Sequence, residues 1–167
     1  MFEQGTNKGE LATLGPQLIN RLTRNGLRYK YNKKMLRDEL LTLNYTQYFT
    51  SSNIKDRWLR STINDTSLFP NIKKLHNLFP ESGVVAYKLQ SNSYVHMHTD
   101  PLTSCAVNII LSDNNGPVVF EDYGKINYEC ALFNCSLKHA VPAFDNERLL
   151  LKYYWQKKSY EKKENFF

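Results

Sequence analysis

The pattern of this chain changes at Gly83, and that change constrains the fold more than any other feature. From there to residue 155, short runs rich in β-branched and aromatic residues are separated by turn residues, such as those at 113–116 and 144–146. The predicted strands are residues 84–89, 94–99, 105–111, 117–121, 131–134, 138–141 and 147–155. Seven short strands within about 70 residues are typical of an all-β sandwich or barrel.

The first part of the chain has a helical pattern instead. Apolar residues recur at near-helical spacing over residues 33–43, and Asn32 is placed to cap that helix. A second short helix is predicted through residues 54–63. A third is predicted to begin at Pro70, a good first-turn residue, and to stop before Pro80.

No repeat, low-complexity segment or linker separates these two parts. We therefore expect one domain over residues 1–167 that is mainly β with N-terminal helices. Residues 1–80 are predicted to form a helical layer that packs on a jelly-roll barrel at residues 84–155.

The charge of the chain favours acidic partners without naming one. The net charge is +6, and 13 of the 22 basic residues lie in two stretches, eight at 21–55 and five at 152–163. Nucleic acid is one candidate partner for such a surface. The basic, aromatic-bearing residues 28–31 and 153–158 could line a groove beside the barrel mouth.

The cysteines and the apolar pattern predict where the protein resides. Cys105, Cys130 and Cys135 are odd in number and lack a Cys-x-x-Cys spacing, so reduced thiols are expected rather than a disulfide framework or a zinc knuckle. The first eight residues do not resemble a signal peptide, and no apolar stretch approaches the roughly 20 residues that span a bilayer. These features predict a soluble, cytoplasmic protein without a membrane partner, and they do not indicate an oligomeric state.

Potential metal ligands are concentrated in the predicted strand at residues 94–99 and just after it. Strand alternation places Tyr94, His96, His98 and Asp100 on one face. An imidazole and a carboxylate two positions apart have backbones about 6 to 7 Å apart and can reach one ion together. Such a pair needs a third ligand from elsewhere in the chain.

His139 is the best candidate for that third ligand. Outside the first strand, the other histidine is His76, which lies on a predicted helix. Two imidazoles and one carboxylate leave the opposite coordination positions open, as non-haem Fe(II) oxygenases require. A structural zinc site would favour four protein ligands and more cysteine.

With these residues, the stretch 84–155 resembles the double-stranded β-helix of the Fe(II)/2-oxoglutarate-dependent dioxygenases. That family carries His-x-Asp on an early strand, a later distal histidine, and a basic residue on the final strand. Here His98 and Asp100 match the first motif, His139 matches the distal histidine, and Arg148 follows it by nine residues. The resemblance implies Fe(II) and 2-oxoglutarate as cofactors, with Arg148 paired to the far carboxylate of 2-oxoglutarate. Tyr87 and Asn108 resemble positions that bind the same co-substrate.

The layout is similar to both the prolyl 4-hydroxylase-like and the aspartyl/asparaginyl β-hydroxylase-like branches. It therefore predicts hydroxylation of a protein or peptide side chain, at Pro, Asp or Asn. Three alternatives stay open: an oxygenase that acts on nucleic acid or a small molecule, a cupin-like module that holds a metal without turnover, and a cofactor-independent cupin enzyme. The role of His96 is open between a substrate contact and plain packing.

Overall fold

A computed structural model of the chain describes residues 31–48, 58–100, 102–113 and 116–156. The helices in these ranges are α1, Lys33–Leu41, and α2, Pro70–His76, with a short 3-10 turn at Thr66–Leu68. The strands are β1 Thr46–Tyr48, β2 Trp58–Thr62, β3 Gly83–Leu89, β4 Val95–His98, β5 Thr103–Ile110, β6 Val118–Phe120, β7 Gly124–Ile126, β8 Cys130–Asn134, β9 His139–Val141 and β10 Arg148–Gln156.

These strands form two antiparallel sheets that face each other. The larger sheet has the order β1-β2-β3-β10-β5-β8, and the smaller has the order β4-β9-β6-β7. From β3 to β10 the chain passes back and forth between the two sheets, with β3, β5, β8 and β10 in the larger sheet and β4, the β6–β7 hairpin and β9 in the smaller one. This is the winding of a jelly roll. This arrangement confirms the predicted mainly β fold with a double-stranded β-helix, and all seven predicted strands are present within two residues of their predicted ends.

Strand β10 lies in the middle of the larger sheet and has two unlike faces. It pairs with β3 on one side and with β5 on the other. Leu149, Leu151 and Tyr153 point to one face and are buried against the helical layer. Arg148 and Lys152, which alternate with them, point to the opposite face and into the barrel.

The helical layer is fixed to the larger sheet by apolar packing. Leu36 and Leu40 of α1 and Ile72 and Leu75 of α2 are almost fully buried in the same cluster as the outer face of β10. Full burial of each such side chain contributes about 1.5–3 kcal/mol. The helices therefore cover one face of the sheet and leave the barrel interior to the other face.

Side-chain caps set the starts of both helices. The carboxamide oxygen of Asn32 accepts a hydrogen bond from the backbone N–H of Met35 at 3.1 Å, as predicted for α1. The cap of α2 comes from another element, since the Glu39 carboxylate accepts from the backbone N–H groups of Asn71 and Ile72 at 2.7 and 2.9 Å. One carboxylate thus satisfies the start of α2 and ties it to α1.

The prediction of a helix through residues 54–63 is wrong for the residues in this range that the structure describes. Residues 58–62 form β2, which pairs with β3 from Trp58 opposite Leu89 to Thr62 opposite Val85. Pairing extends the larger sheet and satisfies backbone groups at the edge of β3, which outweighs the local helical spacing of apolar residues. The part predicted as a helical layer therefore also contributes strands β1 and β2. Residues 54–57 lie outside the described ranges.

Smaller differences concern the ends of elements. Helix α2 stops at His76, earlier than predicted, and a turn leads from there to Pro80. Strand β7 was not predicted because it is three residues long and begins at Gly124, which has a positive φ of 78°. Half of the proposed basic groove, residues 28–30 and 157–158, lies outside the described ranges.

Two further sequence expectations can be compared with the fold. The three cysteines are free thiols, as their number and spacing predict. Within the described ranges, neither helix has the length and apolar character needed to cross a bilayer.

Candidate metal centre

The smaller sheet brings two of the predicted ligands side by side. β4 pairs with β9, and His98 lies directly opposite His139 in that register. Asp100 follows β4 and is anchored from the other sheet, because its backbone N–H donates to the carbonyl of Cys135 at 3.0 Å. His98, Asp100 and His139 each offer a ligand atom, and these atoms all lie within 4.8 Å of one another.

The distances between these atoms suit a shared ion. Asp100 Oδ1 lies 3.3 Å from Nε2 of His98 and 3.9 Å from Nε2 of His139. Ligand atoms bound to one metal at about 2.1 Å and at right angles lie about 3 Å apart. Side-chain adjustments of less than about 1 Å would therefore bring the three atoms into coordination.

Each imidazole is oriented by a backbone carbonyl. Nδ1 of His98 donates to the carbonyl of His96 at 2.5 Å, and Nδ1 of His139 donates to the carbonyl of Leu137 at 2.7 Å. A carbonyl oxygen only accepts, so Nδ1 carries the proton in both rings. The lone pair of Nε2 is thereby directed to the shared centre, as in metal-bound histidines.

The charges at the centre agree with a cation site. Burial would raise the pKa of Asp100, but the contact with His98 and the positive charge of Lys152 hold that pKa well below its usual range. Burial lowers the pKa of His139, which keeps that ring neutral near pH 7. Burial also opposes charging of His98, yet the contact with Asp100 raises its pKa overall. A metal ion at this centre would therefore compete with a proton on Nε2 of His98.

Lys152 is a part of this centre that the sequence analysis did not identify. Its ammonium lies 3.1 Å from Oδ2 of Asp100, and its side chain is only 13% exposed. The signal was present, because a period of two from Arg148 on a predicted strand places Lys152 on the same face. The basic C-terminal stretch that contains this lysine is more typical of a surface, and that pattern favours an exposed position.

Arg148 lies inside the barrel and has no carboxylate partner among the described residues. It is only 6% exposed, and its Nη2 donates to the carbonyls of Gly116 and Pro117. Its Nε has no hydrogen-bond partner there. Gly116 makes this position possible, since a Cβ at that residue would lie 2.8 Å from Arg148 Nη2 and 2.8 Å from Phe144 Cγ.

The two predicted co-substrate contacts share the interior face with these cations. Tyr87 lies opposite Leu150 in the β3–β10 register, and Asn108 lies opposite Lys152 in the β5–β10 register. The buried Oδ1 of Asn108 has no hydrogen-bond partner within the described part of the chain. Tyr128, which the sequence analysis missed because it precedes β8 in a loop, also lies near Asn108, and burial raises its pKa to about 12.

His96 does not share the ligand face, and the alternation predicted for that strand is wrong there. The pairing of β4 with β9 is irregular between Val95 and His98, and this shift turns His96 and Met97 to the surface. The His96 ring packs edge-on against Tyr94 with centroids 4.9 Å apart. In the described structure, His96 contributes to the centre through its backbone carbonyl, which accepts the hydrogen bond from Nδ1 of His98.

Comparisons with known proteins agree with the fold. No family model matches this sequence, and no curated protein matches it. A 2OG-Fe(II) oxygenase family oxidoreductase from Burkholderia pseudomallei is similar in structure, with a TM-score of 0.57, 14% identity and 93% of each chain covered. HygX from Streptomyces hygroscopicus, solved with nickel and 2-oxoglutarate bound, has a TM-score of 0.55 at 12% identity, over 73% of this chain and 76% of HygX. The chain has the jelly-roll fold of these proteins.

The same fold also carries other chemistry. A structure from work on the DMSP lyases RdDddP and RnDddQII matches with a TM-score of 0.54 at 12% identity, over 81% of this chain and 70% of that one. Similarity at this level of identity establishes the fold alone. The reaction has to be argued from the residues inside this barrel.

Proposed function

We propose that this protein is a non-haem Fe(II)- and 2-oxoglutarate-dependent dioxygenase. The observation that carries the proposal is one composite site inside the barrel. Two imidazoles and one carboxylate converge from one side, and a buried arginine without a carboxylate partner in the described chain lies within the same interior. The first group suits a divalent metal, and the second suits an anionic co-substrate.

The donor set fits Fe(II), with Mn(II), Co(II) or Ni(II) as substitutes. His98, Asp100 and His139 would hold the ion through two nitrogens and one oxygen, which leaves open positions for other ligands. Cysteine thiolates are absent from this described group, which argues against a closed structural zinc site. When bound, Fe(II) supplies activation of O₂ at the expense of 2-oxoglutarate, which loses CO₂ to give succinate.

The interior of the barrel fits a dicarboxylate. Asp100 pairs with Lys152, so the charge of Arg148 is not balanced by a carboxylate of the described chain. Its guanidinium charge matches a carboxylate, and the unpartnered Nε is available to donate to one carboxylate oxygen. Oδ1 of Asn108 has no hydrogen-bond partner in the described chain and can act only as an acceptor. The carboxamide N–H groups of Asn108 and the hydroxyl of Tyr87 can donate hydrogen bonds to the co-substrate.

We propose a protein or peptide side chain, at Pro, Asp or Asn, as the hydroxylated group. The family resemblance favours it, and so does the surface beside the ligands. Met97 and Leu102 flank the ligand pair and are 41% and 61% exposed, which gives the rim an apolar character. Such a rim suits a peptide segment better than a polyanionic strand. The free thiols of the chain support a cytoplasmic setting for this reaction.

The test is conversion of 2-oxoglutarate to succinate by the purified protein with Fe(II) and O₂. Turnover should require the metal and should be lost in His139→Ala. His76→Gln, which changes a histidine of the outer helical layer, should retain turnover. Absence of succinate in a protein that binds Fe(II) would instead favour a metal-holding cupin module or a cofactor-independent enzyme.

Substrates are distinguished in the same assay. Peptide pools that contain Pro, Asp or Asn are compared with single-stranded oligonucleotides at low and high salt. Stimulation by peptides with a mass gain of one oxygen supports the proposed substrate. Stimulation by oligonucleotides alone, with an oxidised base in the product, would replace it with a nucleic-acid substrate.

A further inference from the structure

We infer that Lys152 is a positioning residue of the metal centre. It holds Oδ2 of Asp100 so that only Oδ1 faces the two histidine nitrogens. The inference rests on the proposed metal site but assigns a role to a residue outside the ligand set. It also gives the two oxygens of one carboxylate different functions.

The distances separate those functions. Oδ2 of Asp100 lies 3.1 Å from the Lys152 ammonium, whereas Oδ1 lies 3.3 and 3.9 Å from Nε2 of His98 and of His139. The backbone of Asp100 is held by its hydrogen bond to Cys135. Rotation of the side chain is then the main freedom that the carboxylate retains, and the contact with Lys152 opposes it.

The position of Lys152 is fixed by a strand that is hydrogen-bonded on both sides. This residue lies on β10, between Val85 of β3 and Asn108 of β5, and thus belongs to the sheet opposite the two histidines. Its side chain spans the barrel to reach Asp100. An ammonium this deeply buried is costly without an anion, so the pair with Asp100 is expected to persist when a metal is present.

The consequence concerns the number of open positions. A carboxylate that used both oxygens would take a fourth coordination position from the protein side. With Oδ2 kept by Lys152, Asp100 can supply one oxygen only, and three positions remain for a bidentate co-substrate and O₂. Lys152 therefore determines how much of the coordination sphere the protein occupies.

The experiment uses Lys152→Met, which removes the charge and the donor while keeping a long side chain. Co(II) affinity is measured by competition with a chelator, and the visible absorption of the Co(II) protein reports the coordination. Lys152→Arg tests whether a donor and charge restore the function. Lys125→Met, on the exposed strand β7, is the control for loss of one lysine charge.

We expect Lys152→Met to bind Co(II) about 10- to 100-fold more weakly, as for other groups that orient metal ligands, and to show an altered absorption spectrum. Lys152→Arg should recover most of the affinity, and Lys125→Met should match the wild type. If Lys152→Met does not fold, Lys152→Gln takes its place in the same titration.

Two results would overturn the inference. One is a Co(II) affinity of folded Lys152→Met, or of Lys152→Gln in its place, that is equal to or tighter than that of the wild type. The other is weaker binding with an unchanged Co(II) spectrum, which would mean a general effect on the barrel. Failure of the wild-type protein to bind Co(II) is a separate outcome, since it would reject the metal centre itself.

Discussion

Replacing Arg148 by alanine should weaken 2-oxoglutarate binding far more than metal binding. The side chain is 6% exposed and has no carboxylate partner in the described chain, so its charge is available to a bound anion. A charge-assisted hydrogen-bonded pair contributes about 1.5–3 kcal/mol. At 1.4 kcal/mol for each factor of ten, the dissociation constant should rise about 10- to 150-fold.

The affinity of the protein for the metal should change little in Arg148→Ala. Arg148 lies four residues from Lys152 on β10, and its described hydrogen bonds go to the carbonyls of Gly116 and Pro117. Metal affinity should therefore stay within about threefold of the wild type, a change below about 0.7 kcal/mol. Arg148→Lys keeps the charge but loses the planar fork, so its 2-oxoglutarate affinity should be intermediate.

Two titrations separate these effects. Mn(II) is titrated into the metal-free protein, and 2-oxoglutarate is then titrated into the Mn(II)-loaded protein without O₂, both by calorimetry. Thermal unfolding of the metal-free variants checks that loss of a buried side chain has not opened the barrel. Equal losses of metal and 2-oxoglutarate affinity, or an unchanged affinity for 2-oxoglutarate, would refute the assignment of Arg148.

Three further substitutions test other parts of the structure. Gly116→Ala places a Cβ 2.8 Å from Nη2 of Arg148, so 2-oxoglutarate affinity should fall at least several-fold while Mn(II) titration remains near normal. Glu39→Ala removes the acceptor for two backbone N–H groups of α2 and should lower the free energy of unfolding in urea by about 1–2 kcal/mol, a loss that Glu39→Gln should partly recover. Tyr153→Phe deletes a buried 2.9 Å hydrogen bond to the carbonyl of Ile72 and should lower the free energy of unfolding by about 1 kcal/mol without changing metal affinity. Wild-type stability of Glu39→Ala or of Tyr153→Phe would contradict the contact that the substitution removes.

Local patterns were sufficient for seven of the barrel strands and for the neighbouring residues His98 and Asp100. Turn residues separate the strands after Gly83, and a period of two identifies their faces. The pairing of His98 with His139 was reached through the expected fold, because about forty residues separate them and nothing local joins them.

The remaining features depend on tertiary contacts. Residues around Trp58 have apolar spacing that fits a helix, and only pairing with β3 makes them a strand. The irregular pairing of β4 reverses the expected face of His96, and sequence alternation cannot reveal where such a shift occurs. A period of two places Lys152 on the face of Arg148, but its contact with Asp100 depends on β10 lying between two other strands, opposite the sheet that carries the histidines.

The two halves of the site lie on different sheets, which has a consequence for dynamics. His98 and His139 belong to the smaller sheet, whereas Arg148 and Lys152 belong to a strand that is hydrogen-bonded on both sides. Backbone amides of β10 should accordingly exchange with solvent most slowly, and those of the short strands β4 and β9 should exchange faster. A ligand held by both sheets acts as a cross-link between them. Its binding should slow hydrogen exchange chiefly in β4 and β9, so that the less protected wall of the barrel reports occupancy of the site.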